Sequence, residues 1–234
     1  MKKYFIVLLA FFASCTNEII ISRATFNLKG NVKSISDTQG QGTYDENWNV
    51  YPDDTSIMVS FINTQNFDKD GKWISAKMEL TNGILYFKTE VIYDDNGNYA
   101  GTKDFDEKDN LMRETFVTEI SRDRICMTTK DSEGRAVSES ISEYRNGLLE
   151  KQTTTSLPEG NFKTTHHYKR DKDGNETEIT INTIDVNSVP VETEKTMKVK
   201  ILKDDDYGNW TRQVYYNLNN NTCIILDRKI VYYE

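Results

Sequence analysis

One short pattern constrains this chain more than any other. Five times an aspartate stands three residues before a glycine: Asp68 and Gly71, Asp94 and Gly97, Asp131 and Gly134, Asp171 and Gly174, Asp205 and Gly208. A sixth copy has Asp106, with Asp109 in the place of the glycine. Aspartate at the first turn position accepts bonds from the backbone N–H groups that follow it. Glycine three residues later takes a positive φ without a Cβ clash, and aspartate tolerates that region better than most residues. The pattern predicts a three-residue hairpin loop, a type I turn followed by a left-handed bulge residue. It sets Phe67 opposite Trp73, Tyr93 opposite Tyr99 and Phe105 opposite Leu111. Such cross-strand pairs each contribute roughly 0.2–1 kcal/mol.

Between these turns lie others, of which Asn82-Gly83 and Asn146-Gly147 are two-residue hairpin signals. No segment shows a helical period, and the three prolines of the chain leave long paired strands undisturbed. The fold class that follows is all-β: a single antiparallel meander of hairpin repeats, strongly curved or barrel-like, because a long open sheet curls or closes. Alternation supports one dry face. It runs Ile74, Ala76, Met78, Leu80, then Leu85, Phe87, Thr89, Val91, Tyr93, then Tyr99, Gly101, Lys103, Phe105, and on through Leu111, Arg113, Thr115, Val117. After Cys126 the pattern weakens, since "ESISE" and "TTTS" bury little on either face.

The first residues follow a different logic. "MKK", a short apolar run and "FFASC" have the order of an export signal, and the run is too short to span a bilayer comfortably. The stretch ending Ala13-Ser14-Cys15 resembles the lipobox of bacterial lipoproteins, with Phe12 where an aliphatic residue is usual. That resemblance implies a signal peptide over 1–14 and a lipid on Cys15. It places the protein in the cell envelope, as an outer-membrane lipoprotein of a Gram-negative bacterium. Residues 15–54 are expected to be a tether and irregular entry segment, with "NLKGNVKSI" as an entry strand and "DTQGQGTYDENWNVYPDD" as a loop. The repeat-built β domain is expected over 55–234.

The turns also carry a family resemblance. "YDDNGNY", "KRDKDGNET" and "DDDYGNWTRQVYY" resemble tyrosine–aspartate repeats of the RHS type. The ending from Gly208 through Tyr233 is similar to that of uncharacterised lipoproteins of gut-type Gram-negative bacteria. The resemblance implies hairpins in a winding sheet. Large RHS-type proteins enclose cargo with that sheet, and this chain is too short to wrap a protein.

Chemistry is sparsely signalled. The 37 acidic and 29 basic residues give a formal charge of -8, which argues against nucleic acid as a partner. The turn glycines invite comparison with calcium loops, but Lys77, Lys103 and Thr180 stand where the bidentate glutamate is required. His166 and His167 are neighbours on a strand and point to opposite faces. No Gly-x-Ser-x-Gly elbow is present, and Glu90 and Asp104 read as solvated charges on a polar face. No catalytic, cofactor-binding or metal residues are therefore assigned, and no cofactor is expected. Trp73 and Trp210 read as turn-flanking packing, whereas Trp48 lies in a loop and is the candidate for ligand contact. Cys126 and Cys223 read as small hydrophobes or as one bridge.

The functional expectation is a lipid-anchored envelope protein that binds or scaffolds a glycan, a peptide or an envelope protein. The alternatives are an envelope hydrolase with its site in the concave face of the sheet, or a purely structural repeat protein. A deep pocket with convergent carboxylates favours the hydrolase, and a groove of aromatics favours binding.

Overall fold

The computed structural model describes residues 21–53, 61–157, 162–185 and 191–234. Its strands, in chain order, begin with β1 (Val32–Tyr44), β2 (Val50–Pro52), β3 (Phe61–Phe67), β4 (Trp73–Leu80) and β5 (Leu85–Tyr93). They continue with β6 (Tyr99–Phe105), β7 (Leu111–Ser121), β8 (Arg124–Asp131), β9 (Ala136–Arg145) and β10 (Leu148–Ser156). The last are β11 (Phe162–Arg170), β12 (Glu176–Asp185), β13 (Val191–Asp204), β14 (Trp210–Asn217) and β15 (Thr222–Tyr232). From β3 onward each strand pairs antiparallel with the next, β3 pairs with β1, and β1 pairs with β15. The meander therefore closes into a barrel of fourteen strands, with β2 a short addition beside the far end of β1. The all-β, barrel-like expectation is what the chain adopts.

The turns explain the meander. The backbone N–H of Asp94 donates to the Asn98 carbonyl at 2.9 Å, and that of Gly97 to the Asp94 carbonyl at 2.9 Å. The Asp94 carboxylate then accepts the N–H groups of Asn96 and Asn98 at 2.9 and 2.8 Å. The same bonds recur at Asp106, Asp131, Asp171 and Asp205. Asp109 takes φ 65°, as its substitution for glycine requires. The expected pairs Phe67–Trp73, Tyr93–Tyr99 and Phe105–Leu111 all form.

Each of these three turns also brings a register shift just outside the pair, and this corrects the expected faces. A bulge adds one residue to one strand, so parity beyond it flips. Trp73, not Ile74, turns inward, and Ile74 is 43% exposed. On β6 the inward residues are Tyr99, Thr102 and Asp104, with Gly101 and Lys103 outside. Thr102 and Asp104 lie opposite Thr115 and Arg113, and Lys103 forms an ion pair with Glu114. Asp104 is thus no solvated surface charge: it accepts the Thr89 hydroxyl at 2.7 Å and pairs with Arg113.

Part of the segment expected as irregular entry is barrel. Residues read as a loop, from Asp37 to Tyr44, belong to β1, and Asp37 to Thr43 pair with Arg228 to Thr222 of β15. Their polar composition misled because their partners lie almost two hundred residues away in sequence, where no local pattern can show them. Residues 45–53 do leave the barrel, fold back along its outside and contribute β2.

The two faces of the barrel differ in chemistry. The outer face carries cross-strand ion pairs, Lys103–Glu114, Glu143–Lys151, Lys169–Glu178 and Arg212–Asp227. Hydroxyl pairs Thr153–Thr165 and Thr180–Thr196 lie between them. A lysine or arginine facing lipid at the midplane costs roughly 2–4 kcal/mol, so these strands suit water on their outer side. The inner face is apolar and aromatic at one end, where Phe67, Ile35, Val32 and Ile125 are fully buried.

Gly101 shows how tightly neighbouring strands meet. A Cβ there would lie 2.0 Å from the Thr115 carbonyl oxygen, against a backbone at φ 149°. At Gly97 a Cβ would meet only the Lys72 amine, at 3.5 Å, so only the left-handed φ of 87° resists substitution. Gly97→Ala is expected to cost about 1 kcal/mol. Gly101→Ala adds backbone overpacking and is expected to cost about 1–3 kcal/mol beyond that. Urea unfolding of the two variants checks the order, and equal midpoints would contradict it.

Candidate functional site

One end of the barrel is capped by the chain that leads into β1. Ser22 bridges to Lys72, and the Arg23 N–H donates to the Gly71 carbonyl at 2.9 Å. Asn27 donates to the Asn175 side chain at 3.2 Å, and the buried Asn209 amide exchanges two bonds with the Lys29 backbone, at 2.7 and 2.9 Å. Both asparagines directly follow a turn glycine, so three hairpin turns pin the cap. Its apolar residues point into the barrel: Ile21 and Leu28 are buried, and Phe26 meets the rings of Phe67 and Trp73 edge-on.

Beneath this cap lies a cavity of about 450 Å³. Its walls come from all round the barrel. Trp73, Tyr99, Tyr144, Tyr168, Trp210 and Tyr215 supply aromatic surface, and Ile21, Phe26, Ile125, Met127 and Leu226 supply aliphatic and ring surface. The side near β9 and β10 is lined by Ser142 and Gln152. The weak sequence pattern after Cys126 has its explanation here: Ser138, Ser140 and Ser142 share a face, opposite Ser156, Thr154 and Gln152. Small inward side chains leave room that large ones would fill.

Two ion pairs cross the cavity wall. Arg228 binds Asp37 through both Nε and Nη2, at 2.6 and 2.7 Å, and its side chain is only 9% exposed. The guanidinium carbon sits over the Trp210 ring, 3.6 Å from the centroid. Arg170 donates to the carbonyls of Leu149 and Gly174 and to Glu176 at 3.1 Å. Glu176 also accepts the Tyr215 hydroxyl at 3.0 Å. Charge-assisted bonds of this kind hold side chains in one geometry. Each carboxylate therefore arrives with its arginine already in place.

Burial shapes the tyrosines. It pushes the Tyr168 hydroxyl up to about 12, with the Glu176 charge adding to the effect. It raises Tyr99 and Tyr215 further, Tyr215 also through Glu176. Near the cap, Tyr93 is pushed up to about 12 by burial and the Asp68 charge. These rings remain neutral hydrogen-bond donors at ordinary pH. Burial also holds the His166 imidazole below its usual value, and His166 bonds Tyr168 at 3.3 Å.

The residues singled out in the sequence fall in several places. Cys15 and the signal segment 1–14 lie outside the described residues. Trp48 sits outside the barrel, stacked on Tyr44 at 5.3 Å and edge-on to Tyr216 at 4.9 Å, with Lys200 over its ring. Together with Val214 and Ile225 these rings form a satellite core under the residue 45–53 loop. Trp73 and Trp210 line the cavity. His166 and His167 belong to opposite faces, as expected from their adjacency. Cys126 and Cys223 are unpaired, and Cys223 is buried. Glu90 lies opposite Lys103 on the outer face.

Sequence reasoning missed Asp37, Arg170, Glu176, Tyr215 and Arg228. One signal was available. Ile224, Leu226, Arg228 and Ile230 alternate on one face, and a lone arginine in an apolar stripe marks a buried charge that needs a partner. The partner, Asp37, could not be named without the pairing of β1 with β15.

No protein-family description and no curated protein matches the chain. Among solved structures, it is similar to a porin-like protein from Bacteroides uniformis at TM-score 0.46 and 12% identity, over 87% of this chain and 98% of that one. A porin-like protein from Bacteroides vulgatus aligns at TM-score 0.49 and 11% identity, over 86% and 98%. A DUF1329 family protein from Desulfovibrio piger aligns at TM-score 0.30 and 9% identity, over 86% of each chain. At such scores no chemistry carries over from these proteins.

Two outcomes follow from the site. Asp37→Ala strands a buried guanidinium and is expected to cost about 3–5 kcal/mol, whereas Asp37→Leu combined with Arg228→Met costs less. Urea unfolding distinguishes them, and a double variant no more stable than the single would contradict the pairing. The folded barrel also holds the Tyr93 and Tyr168 protons more tightly than the unfolded chain, from 10.0 up to about 12. Their contribution is full below pH ~10 and is lost as pH rises toward ~12. The urea midpoint is expected to fall across that window, and a flat midpoint there would remove this assignment.

Proposed function

We propose that this protein is a lipid-anchored envelope protein whose barrel stands in water and binds one small ligand in its lumen. The observation that carries the reading is the capped cavity of about 450 Å³, walled by aromatic rings inside a barrel whose outside is charged. Small-molecule sites are concave and largely apolar, with a few placed polar groups, and commonly measure roughly 300–1,000 Å³. The cavity has that character.

Binding is favoured over hydrolysis by the state of the carboxylates. Asp37 and Glu176 are the acids that reach the cavity: Arg228 holds both Asp37 oxygens, and Arg170 and the Tyr215 hydroxyl hold one Glu176 oxygen each. A general acid or base needs a proton in reach of substrate, and such bonding works against that role. The RHS-type hairpin likeness fits a sheet that surrounds its contents, here a small molecule in place of a protein.

The anchor and the cap belong to the same end. Five residues lie between Cys15 and Ile21, so the six steps of the tether span at most ~20 Å. A lipid on Cys15 therefore holds the capped end toward the bilayer and turns the other end away from it. In this reading the protein binds its ligand at an outer membrane, on either leaflet.

Two experiments test this. Cys15→Ala is expected to move the protein from the membrane pellet to the soluble fraction, and retention in the pellet would sink the anchor. For the lumen, a thermal-shift screen of small amphipathic compounds is run on the wild type and on Ser142→Trp, which fills the cavity from a position 2% exposed. Stabilising compounds are expected to lose their effect in the variant. Compounds that stabilise both proteins equally bind elsewhere and would refute the site.

A further inference from the structure

The polar atoms of the cavity are unevenly satisfied, and the imbalance points to a ligand class. Its carboxylate acceptors are occupied. Both Asp37 oxygens take bonds from Arg228, and the two Glu176 oxygens take one bond each from Arg170 and Tyr215. Its donors are not. Arg228 uses Nε and Nη2 on Asp37, and Nη1 has no bonded partner among the described residues. The indole Nε1 of Trp73, on the cavity wall, is buried and likewise has no partner among them. Arg170, in contrast, spends all three of its nitrogens on Leu149, Gly174 and Glu176.

Charge is balanced at the same time. Arg228 faces Asp37 and Arg170 faces Glu176. A charged ligand entering this space would lose its hydration and find no free counter-charge. An anion approaching Arg228 would also meet the Asp37 carboxylate beside it. An uncharged oxygen acceptor avoids both costs and still satisfies the open donors, of which the buried Trp73 Nε1 is costly to leave unmade.

The walls set the body of the ligand. Trp73 and Tyr99 stack at 6.5 Å, and the Arg228 guanidinium sits over the Trp210 ring, so the open donors lie beside aromatic planes. Flat apolar rings pack well against such planes.

From these observations we infer that the lumen recognises an uncharged ring compound bearing carbonyl-type oxygens, held by Arg228 Nη1 and Trp73 Nε1. This rests on the lumen being a binding site and names the ligand class for that same site. Arg228 is the specificity-determining residue. Asp37 and Trp210 position it, one by fixing the plane of the guanidinium and the other by supporting it from the ring.

The test uses four probes of one ring system: naphthalene, acetylnaphthalene, naphthoate and naphthylmethylammonium, each titrated calorimetrically into the full mature chain. Acetylnaphthalene is expected to bind at least about tenfold more tightly than the other three, the effect of one charge-assisted bond. Asp37→Leu combined with Arg228→Met keeps the cavity apolar and neutral, and is expected to bind naphthalene and acetylnaphthalene alike. Trp73→Phe keeps an aromatic plane but removes the N–H together with part of the indole surface, so both compounds weaken and the ketone is expected to lose several-fold more than naphthalene. It also serves if the double variant does not fold. If naphthoate or the ammonium compound matches the ketone, or naphthalene equals it, the ligand class is wrong while the lumen remains a binding site. If no probe binds the wild type and Ser142→Trp changes nothing in the thermal-shift screen, the lumen reading fails and this inference with it.

Discussion

The pairing of β1 with β15 is the contact on which the rest depends. It runs from Val32 opposite Tyr232 to Thr43 opposite Thr222 and turns an open meander into a closed barrel. Without it, β15 and the β1–β3 ribbon would each present a row of unpaired backbone groups, a template for aggregation. Closure also creates the inside. It brings Asp37 against Arg228 across 191 residues of sequence. The adjoining seam is held from outside by Arg212 and Asp227, and at its capped end by Tyr233, which donates to the Phe67 carbonyl. Contacts this distant are entropically slow to form, so the barrel is expected to close after its hairpins have folded.

The hairpins themselves are local devices. In Asp94 and Asp106, bonds from the asparagine four residues on hold the carboxyl below the usual carboxylate range. The loop is thus made mainly from its own residues, and it works wherever it is placed. The turns contribute more than reversal of direction. Their bulges set which residues face inward, and their asparagines at 175 and 209 catch the cap. A feature repeated for folding is used twice for closing the lumen.

Inside and outside then divide the chemistry. Lysine–glutamate pairs and threonine pairs keep the outer strands wet, while tyrosines and tryptophans gather within. Much of this was legible. The turn spacing gave the strand number its cadence, the alternation gave the inward identity of Ala76, Met78, Phe87, Thr89 and Val91, and the glycine substitution at Asp109 was correctly read. The errors share one cause. Ile74, Gly101 and Lys103 were placed on the wrong face because a bulge inserts a residue that period-two counting does not see. The candidate site was barely legible. The serines on β9 read as a failing core pattern, and one of them, Ser142, lines the cavity.

The sequence by itself determined the class of structure: aspartate and glycine at fixed spacing make hairpins by local hydrogen bonds and local backbone freedom, which need no distant partner. It determined the acidic charge balance of the chain as well. Only the tertiary structure decided that Asp37 meets Arg228, that Trp73 and Trp210 share a cavity, and that Ile21 to Asn31 form a cap. Those facts rest on strand closure and on bulge-shifted parity, and both are properties of the whole barrel, not of any stretch of residues within it.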